Sequence, residues 1–431
     1  MKAGKALVMI KFIKGIWQLQ IIKSEISRGN TKLAEHLILT RKKQGYGLSL
    51  LEKVFLENQL NKKKLKESKD KLSSKTSDLL FLKFPVQHQL TTQINTSFRL
   101  LNHDDHKIEC TGIEKLIFAK LETELVNFLQ KIITTNDLSD DQIKKRIDEA
   151  HRDLMGLKKG LDPTYDKNFS PHVYLIKYFL DNVYCSYLAY FFIYQAGYLP
   201  KKITILDIAA GPATMLFGLS LFLESLAQHQ EISDFNCSYY SLEKERNLQY
   251  RGLQFWRQYI NELKFPPNIF YQFNTVNIFD YDNYCHKLPK EFFNLIIIAH
   301  CFFYQGEDRS KSLDIYRSIF KQCLQPDGKI LLVIQGNKFY KIFDTYPDEN
   351  LAKERDLIKS FLDCLGLRLI FYKYFTSTGK RTNNKEDFKQ FIQGDLPERP
   401  QISKLQEKYF GYSSMSKYII DDFVIYAEKQ V

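Results

Sequence analysis

The chain has 431 residues, of which 44% are apolar and 26% are charged. This composition excludes a mostly disordered protein, which would be poorer in apolar side chains. With only 19 glycines and 12 prolines, the sequence is neither collagen-like nor of low complexity. The length predicts roughly two to three domains.

The excess of positive charge lies at one end of the sequence. The formal net charge is +12, and residues 1–75 contain 18 Lys or Arg against 6 Asp or Glu. The remainder holds 44 residues of each sign, so its net charge is zero. Such an asymmetry is typical of a segment that binds an acidic partner, such as RNA, DNA or anionic lipid. The alternative is a solvated, Lys-rich helical surface; in either case we predict a basic helical segment over residues 1–75.

Seven cysteines are spread through the sequence without a Cys-x-x-Cys pair. An odd number in this pattern indicates neither a disulfide framework nor a zinc site, so we expect no metal site and a reducing, cytoplasmic environment. Lysines interrupt the first 23 residues, which argues against a signal peptide. The apolar stretch 174–199 contains Lys177 and Asp181, which favour a buried helix over a transmembrane segment.

Residues 76–170 are predicted to form a mainly helical domain. Residues 76–110 show no clear pattern. An apolar stripe from residue 116 to 129 indicates a helix that begins near Gly112. A second helix is predicted over residues 139–159, because Ser139 precedes two aspartates that suit a first turn. A long aromatic helix is predicted over residues 172–196.

After Pro200 short apolar runs alternate with helical patterns. Strands are predicted at residues 203–208, 237–242, 269–278, 292–299, 329–335, 367–375 and 418–427. Helices are predicted between them at residues 214–228, 248–263, 312–324 and 350–365. Strands that alternate with helices indicate right-handed βαβ crossovers and a doubly wound parallel sheet.

The most informative segment is Ile-Leu-Asp-Ile-Ala-Ala-Gly-Pro-Ala-Thr at residues 205–214. It combines a strand, a turn of small residues and the start of a helix. Ligands bind at the carboxyl ends of strands in doubly wound sheets, and small residues allow the backbone to approach them closely. The segment resembles the first motif of the class I S-adenosylmethionine-dependent methyltransferases, Asp-x-Gly-x-Gly-x-Gly. Asp207 and Gly211 match, whereas Ala209 and Ala213 replace glycines.

Later segments continue the resemblance in the same order. Glu243 ends the second strand, where the family binds the ribose hydroxyls with an acidic residue. Asn277 stands where the family places an Asp beside the adenine, with Asp280 as the alternative match, and Ile278 would pack on the adenine ring. Leu-Gln-Pro-Asp-Gly at residues 324–328 resembles the turn before the family's fifth strand.

The resemblance implies an α/β fold with a doubly wound, mostly parallel, seven-stranded Rossmann-like sheet over residues 171–431, joined to an α-helical N-terminal region. It implies S-adenosylmethionine as the cofactor. The cofactor-binding residues that follow from it are Asp207, Ala209, Ala210, Gly211, Pro212, Glu243, Asn277, Ile278 and His300.

Two residues after the fourth strand are candidates for catalysis. His300 is the candidate general base because its pKa lies near neutrality, and the alternative is that it only lines the cofactor site. Tyr304 would line the acceptor pocket or belong to the core. The tyrosines at 174, 178, 184 and 187 are a candidate lid over the cofactor, and the alternative is that they pack in the core.

The predicted function is therefore S-adenosylmethionine-dependent methyl transfer. The acceptor is open, with RNA or an RNA-containing particle as one candidate. The alternative is a non-catalytic assembly or binding factor on a degenerate methyltransferase fold, motivated by the departures at Ala209, Ala213 and Asn277. A dinucleotide oxidoreductase is disfavoured, because its Gly-x-Gly-x-x-Gly turn is absent.

Overall fold

The computed structural model describes residues 18–26, 28, 30–43, 52, 55–56, 83–134, 138–155, 163, 165, 167–230, 232–304, 306–381, 396–411 and 417–430. Most of the basic segment 1–75 therefore lies outside the described residues. Within it, the helix Thr31–Lys43 ends in Arg41, Lys42 and Lys43. The division of the chain at residues 75 and 170 stays a prediction.

The helices and strands follow one another along most of the described chain. The α-helices are α1 Thr31–Lys43, α2 His88–Ser97, α3 Lys115–Thr134, α4 Asp140–Leu154, α5 Ser170–Tyr174, α6 Leu180–Gln195, α7 Thr214–Ala227, α8 Arg246–Ile260, α9 Tyr281–Tyr284, α10 Gly306–Cys323, α11 Gly336–Ile342, α12 Leu351–Leu365 and α13 Pro400–Phe410. The strands are β1 Leu100–Asn102, β2 Lys107–Cys110, β3 Lys202–Ile208, β4 Asn236–Glu243, β5 Ile269–Thr275, β6 Phe293–Ala299, β7 Leu324–Gln335, β8 Leu367–Thr376 and β9 Asp421–Lys429.

All nine strands of the described chain form one sheet in the order β1-β2-β8-β9-β7-β6-β3-β4-β5. The block from β5 to β7 is parallel, whereas β9 runs antiparallel to both β7 and β8. The hairpin β1–β2 extends the far edge, with β2 parallel to β8. The expectation of a mostly parallel, seven-stranded sheet is therefore wrong: the sheet is mixed and has two further strands.

The two further strands come from a part of the sequence without a recognisable pattern. Strand β1 has three residues and β2 has four, too few for apolar and polar residues to alternate visibly. Their connecting loop is fixed by buried Arg381, whose guanidinium contacts Asp104 at 3.0 Å and also pairs with Glu354. Glu354 belongs to α12, so the ion pairs fasten the hairpin to the rest of the sheet.

Apolar residues cover both faces of the sheet. On β3, Ile203 and Ile205 belong to the cluster that packs against α6, α7 and α8. Leu206 and Ile208 belong to a second cluster, which packs against α10, α11 and α12. Helices from the first half of the sheet thus lie on one face and helices from the second half on the other, which confirms the doubly wound α/β arrangement.

The chain reverses its direction of travel across the sheet between β3 and β6. From β3 it winds outward through β4 to β5, and it then crosses back to β6 on the other side of β3. In open α/β sheets this reversal opens a crevice at the carboxyl ends of the two central strands, where ligands bind. The strand order therefore places the expected crevice between the segment after Ile208 and the segment after Ala299.

The long aromatic helix of the prediction is confirmed in place but is divided. A π-helical turn over Leu175–Phe179 separates α5 from α6. Tyr184 and Tyr187 are buried in the first cluster, so the lid interpretation is wrong for these two residues. In the described part of the chain, no helix is long and apolar enough to cross a membrane.

Candidate functional site

The turn after β3 has an unusual backbone. Ala209, Gly211 and Ala213 have φ values of 54°, 55° and 64°, all in the left-handed region. For an L-residue this region costs roughly 1–2 kcal/mol, because Cβ approaches the following carbonyl oxygen. Two hydrogen bonds hold the turn: Ala210 N–H donates to the Leu242 carbonyl at 3.2 Å, and Ala213 N–H donates to the Ala210 carbonyl at 2.8 Å. The chain therefore adopts a glycine-type turn with alanine at two of its three left-handed positions.

A glycine on the neighbouring helix α8 allows that helix to pack closely against the turn. A Cβ at Gly252 of α8 would lie 2.4–2.6 Å from the backbone of Pro212. Real Cβ atoms do not approach backbone atoms so closely, so only glycine allows α8 to contact the turn here. The contact therefore sets the distance between the turn and α8.

Glu243, the last residue of β4, is bound to the same turn. Its Oε2 accepts the Gly211 N–H at 2.7 Å, and its Oε1 accepts the Glu245 N–H at 2.8 Å. The side chain is buried, and burial raises the pKa of Glu243 while the two N–H donors oppose that rise. Each carboxylate oxygen has a second lone pair, so Glu243 can hold the turn and still accept further hydrogen bonds.

Asp207 lies on the side of β3 that faces the first cluster. The Tyr239 hydroxyl donates to its Oδ2, while Oδ1 is buried and has no hydrogen-bond partner within the described chain. Burial raises the pKa of Asp207 to about 7. The carboxyl group is therefore buried in the core directly before the turn, and its predicted contribution to cofactor binding stays a prediction.

The segment after β5 holds the predicted adenine contacts. Asn277 caps a short 3-10 helix, because its Oδ1 accepts the Phe279 N–H at 3.1 Å. Ile278 is buried in the second cluster, and Asp280 is exposed. The side-chain carbonyl of Asn277 thus accepts one hydrogen bond within its own segment and keeps a second lone pair.

His300 follows β6 on the other side of the crevice. Its φ is 60°, and its N–H donates to the Val333 carbonyl at 2.8 Å. Its Nδ1 lies 3.6 Å from Oδ1 of Asp422, with the two side chains 27% and 13% exposed. Burial lowers the pKa of His300 to about 4, with a smaller contribution from Lys338. At neutral pH the ring is therefore uncharged, but its pKa lies well below the near-neutral value that motivated the general-base prediction, so His300 is a weaker base than the sequence analysis expects.

Asp422 is the residue of this site that the sequence analysis missed. It is the second residue of β9, and burial raises its pKa to about 7. The sequence analysis included Asp421 and Asp422 in the predicted strand 418–427 and gave them no role in the site. The available signal was a pair of acids directly before the apolar run from Phe423 to Ala427, which places them at the start of a buried strand.

Two tyrosines border the crevice. The Tyr174 hydroxyl accepts a hydrogen bond from Asn182 at 3.3 Å and lies 3.9 Å from the position of a Cβ built on Gly211. Of the tyrosines proposed as a lid, Tyr174 therefore lies next to the turn. Tyr304 is partly exposed beyond His300, and the Lys341 ammonium lies 5.9 Å from its ring centroid.

The structure joins the predicted residues into two groups. Asp207, the turn 209–213 and Glu243 share hydrogen bonds or adjoin along the chain, and His300 pairs with Asp422. Both groups lie at one edge of the sheet, after the neighbouring strands β4, β3 and β6. Within the described ranges, no group of three or more His, Cys, Asp or Glu side chains could hold a metal ion.

Comparisons with known proteins find similar folds but no close relative. No protein-family model and no curated protein matches the chain. A methyltransferase structure from Methanosarcina mazei, described as S-adenosylmethionine-dependent, is 12% identical, with a TM-score of 0.33, over 55% of this chain and 97% of that one.

Two further solved structures are of the same kind. An arsenic(III) S-adenosylmethionine methyltransferase from Chlamydomonas reinhardtii is 11% identical, with a TM-score of 0.29, over 53% of this chain and 64% of that one. The plantazolicin methyltransferase BpumL, in complex with SAH, is 14% identical, with a TM-score of 0.29, over 73% and 98%. These proteins belong to the superfamily that the motifs resemble, and no specific family within it is indicated.

Proposed function

We propose that the chain is an S-adenosylmethionine-dependent methyltransferase whose cofactor lies in the crevice between β3 and β6. The observation that carries the proposal is the backbone of the turn 209–213. Left-handed φ values occur at Ala209, Gly211 and Ala213, the three positions at which the resembled motif has glycine. At two of these positions alanine therefore adopts a left-handed conformation that glycine would adopt with less strain.

Backbone strain of this kind must be offset by favourable interactions elsewhere in the protein. Left-handed conformations at non-glycine residues cluster at ligand-binding sites, where the strained shape itself serves the function. Here the strained turn precedes the first residues of α7, whose N-terminus carries a positive partial charge. The N–H groups of Ala210, Gly211 and Ala213 already donate within the protein, so what the turn offers a ligand is small residues that allow a close approach to the backbone.

The residues around the turn fit a nucleoside ligand. Gly211 is buried, and a Cβ on it would lie in ordinary van der Waals contact with Leu248 at 3.7 Å and the Tyr174 hydroxyl at 3.9 Å, so these two side chains cover the glycine. The free lone pairs of Glu243 suit the two hydroxyls of a ribose. Asn277 keeps acceptor capacity as well, because its carbonyl oxygen accepts the Phe279 N–H and has a second lone pair.

The proposed mechanism needs little covalent chemistry from the protein. When bound, S-adenosylmethionine supplies a methyl group activated by a positively charged sulfonium. The turn 209–213 and Glu243 hold the ligand in one orientation, which is the main contribution expected for an in-line transfer. His300, uncharged at neutral pH, takes the proton from the acceptor, and Asp422 faces the Nδ1 side of its ring. Tyr304 borders the space beyond His300, where we place the acceptor.

We further propose that the basic segment 1–75 brings an anionic acceptor to this edge of the sheet. The charge excess of that segment supports the proposal, and an RNA or RNA-containing acceptor would have the matching charge. The absence of an Asn-Pro-Pro-Tyr type of motif after β6 argues against amino groups of DNA bases.

The experiment that tests the function is transfer of a radiolabelled methyl group from S-adenosylmethionine to fractionated cell extract. We expect one fraction to be labelled by the wild-type protein. The substitution His300→Asn is expected to lower labelling by about 10²–10⁴-fold at unchanged cofactor affinity, the range of a lost general base. The exposed His286 provides the matched control, and His286→Asn should label normally. A protein that binds the cofactor but labels no fraction would instead favour the non-catalytic binding factor.

A further inference from the structure

The short helix α5 covers the turn that is proposed to hold the cofactor. Its last residue is Tyr174, whose hydroxyl lies 3.9 Å from the position of a Cβ on Gly211. Burial raises the pKa of this hydroxyl, and the nearby Glu243 carboxylate raises it further. The Tyr174 side chain therefore lies beside both Gly211 and Glu243, so a nucleoside that contacts these two residues needs the tyrosine to move.

The regular helical hydrogen-bond pattern is interrupted directly after Tyr174. The π-helical turn Leu175–Phe179 joins α5 to α6. Turns of this kind are rare, occur frequently at functional sites and are one of the few identifiable causes of a helix kink. The π-helical turn is therefore the point at which α5 can bend away from the turn 209–213 while α6 keeps its place in the core.

The π-helical turn itself is held by contacts with two other helices. Nζ of Lys177 lies 2.6 Å from Nε2 of His151 in α4, and both side chains are buried. The Ile176 carbonyl accepts a hydrogen bond from the Gln406 side chain of α13 at 3.2 Å. Because these contacts fix the π-helical turn, bending at its first residues moves α5 and leaves α6 where it is.

The polar side chains of α5 do little to hold it in this closed position. The Ser170 hydroxyl and both ring nitrogens of His172 are buried and have no hydrogen-bond partner in the described part of the chain. A buried polar group that is left unpaired costs roughly 1–3 kcal/mol. The preceding residue, Phe169, gives the helix no side-chain cap. Opening lets water hydrogen-bond to these polar atoms, which offsets part of the apolar contact that α5 loses.

We propose that α5 is a lid over the cofactor site and that it opens by bending at the π-helical turn Leu175–Phe179. Opening removes the Tyr174 side chain from the space beside Gly211 and Glu243 and admits the adenosyl ligand. The identity of that ligand rests on the proposed function. The opening itself is a property of the free protein and is measured without ligand.

Thiol labelling of the ligand-free full chain tests the opening. Val173 of α5 and Val183 of α6 lie on either side of the π-helical turn, and both side chains are 0% exposed. Cysteine packs as a small apolar residue, so both single replacements should fold, which urea unfolding checks. We expect N-ethylmaleimide to modify Val173→Cys at least about 100-fold faster than Val183→Cys, because local opening exposes only the first. Peptide mass spectrometry separates the introduced thiol from the seven native cysteines.

Binding kinetics test the role of Tyr174. In stopped-flow experiments S-adenosylhomocysteine should associate at least about tenfold faster with Tyr174→Ala than with the wild-type protein, because a closed lid slows entry. Tyr250→Ala, at an exposed position on α8, is the matched control and should leave the association rate constant unchanged. Equal labelling of the two cysteines, or an unchanged association rate constant in Tyr174→Ala, overturns the lid. A folded wild-type protein that does not bind S-adenosylhomocysteine contradicts the proposed function instead, and the labelling comparison then still decides whether α5 opens.

Discussion

At the scale of single residues, the crevice depends on left-handed backbone at alanine. Ala209 and Ala213 adopt φ values that glycine would adopt with less strain, and His300 across the crevice does the same. Ala210, between the two alanines, does not have a positive φ. The turn therefore contains strained and unstrained alanines within five residues, which allows the strain to be measured with matched substitutions.

We expect Ala209→Gly and Ala213→Gly each to stabilise the protein by about 0.5–1 kcal/mol. Glycine removes a Cβ strain of roughly 1–2 kcal/mol and costs part of that gain through greater freedom in the unfolded chain. Ala210→Gly is the control and should destabilise by about 0.5–1 kcal/mol. Urea unfolding measures all three; equal destabilisation by all three would mean that the turn carries no strain.

Asp207 predicts a pH dependence. Its pKa is raised to about 7 in the folded protein, from 3.8 when unfolded. Between these values the folded state binds more protons than the unfolded state, so this group's contribution to stability falls as pH rises. Asp207→Asn removes the titration while keeping an acceptor for Tyr239. Relative to wild type, the variant should gain about 2.5 kcal/mol between pH 5 and pH 8. A stability difference that is the same at both pH values would contradict the raised pKa.

At the scale of elements, two helices reach their neighbours through glycine. Gly252 brings α8 onto Pro212 of the turn, and Gly218 brings α7 onto Ser186 of α6. In both cases an added Cβ would come within 3.0 Å of backbone atoms, so the elements must move apart. Only the first of these contacts touches the candidate site.

We therefore expect Gly252→Ala and Gly218→Ala to have different effects on binding. Both should lose about 1–3 kcal/mol of stability through overpacking. Only Gly252→Ala should weaken the binding of S-adenosylhomocysteine, by about tenfold or more, because this substitution displaces the turn. Calorimetry at a temperature where both variants are folded compares them. A similar loss of affinity in both would show that the effect comes from lost stability and not from the turn.

The helices and strands also show which parts of the structure the local sequence predicts. Strand β3 and the start of a helix after Ser139 follow from local residue choice, and both are confirmed. The predicted helix over residues 312–324 is confirmed but begins earlier, at Gly306. Asp422 could not be assigned to the site, because its neighbour His300 is 122 positions away and only the sheet order brings them together.

At the scale of the whole molecule, the sheet and the basic segment are separate questions. Parallel order over β3 to β7 followed from the alternation of strands and helices. The placement of β9 between β7 and β8, and the addition of the hairpin β1–β2, depend on long-range pairing that no local pattern encodes. In the basic segment, Ile22, Ile26, Ala34, Ile38 and Phe55 form a cluster apart from those of the sheet.

Deleting residues 1–75 should therefore spare the cofactor site. We expect unchanged affinity for S-adenosylhomocysteine and at least roughly tenfold weaker binding to single-stranded poly(U) RNA, because most of the excess positive charge is removed. Binding of the full chain to the RNA should fall steeply as salt is raised. Filter binding measures both proteins; equal affinity for the RNA would show that the segment is only a charged surface.

The central claim is that the turn 209–213 holds an adenosyl ligand. Calorimetric titration of the wild-type protein with S-adenosylhomocysteine tests it most directly, with Gly211→Ala as the site variant and Gly366→Ala as the control at a similar φ. Both positions have room for a Cβ and both have a left-handed φ, so both variants should fold with a similar strain of roughly 1–2 kcal/mol. We predict one-to-one binding that Gly211→Ala weakens by at least about tenfold and Gly366→Ala leaves unchanged. No binding by the folded wild-type protein, or equal binding by Gly211→Ala, would contradict the claim.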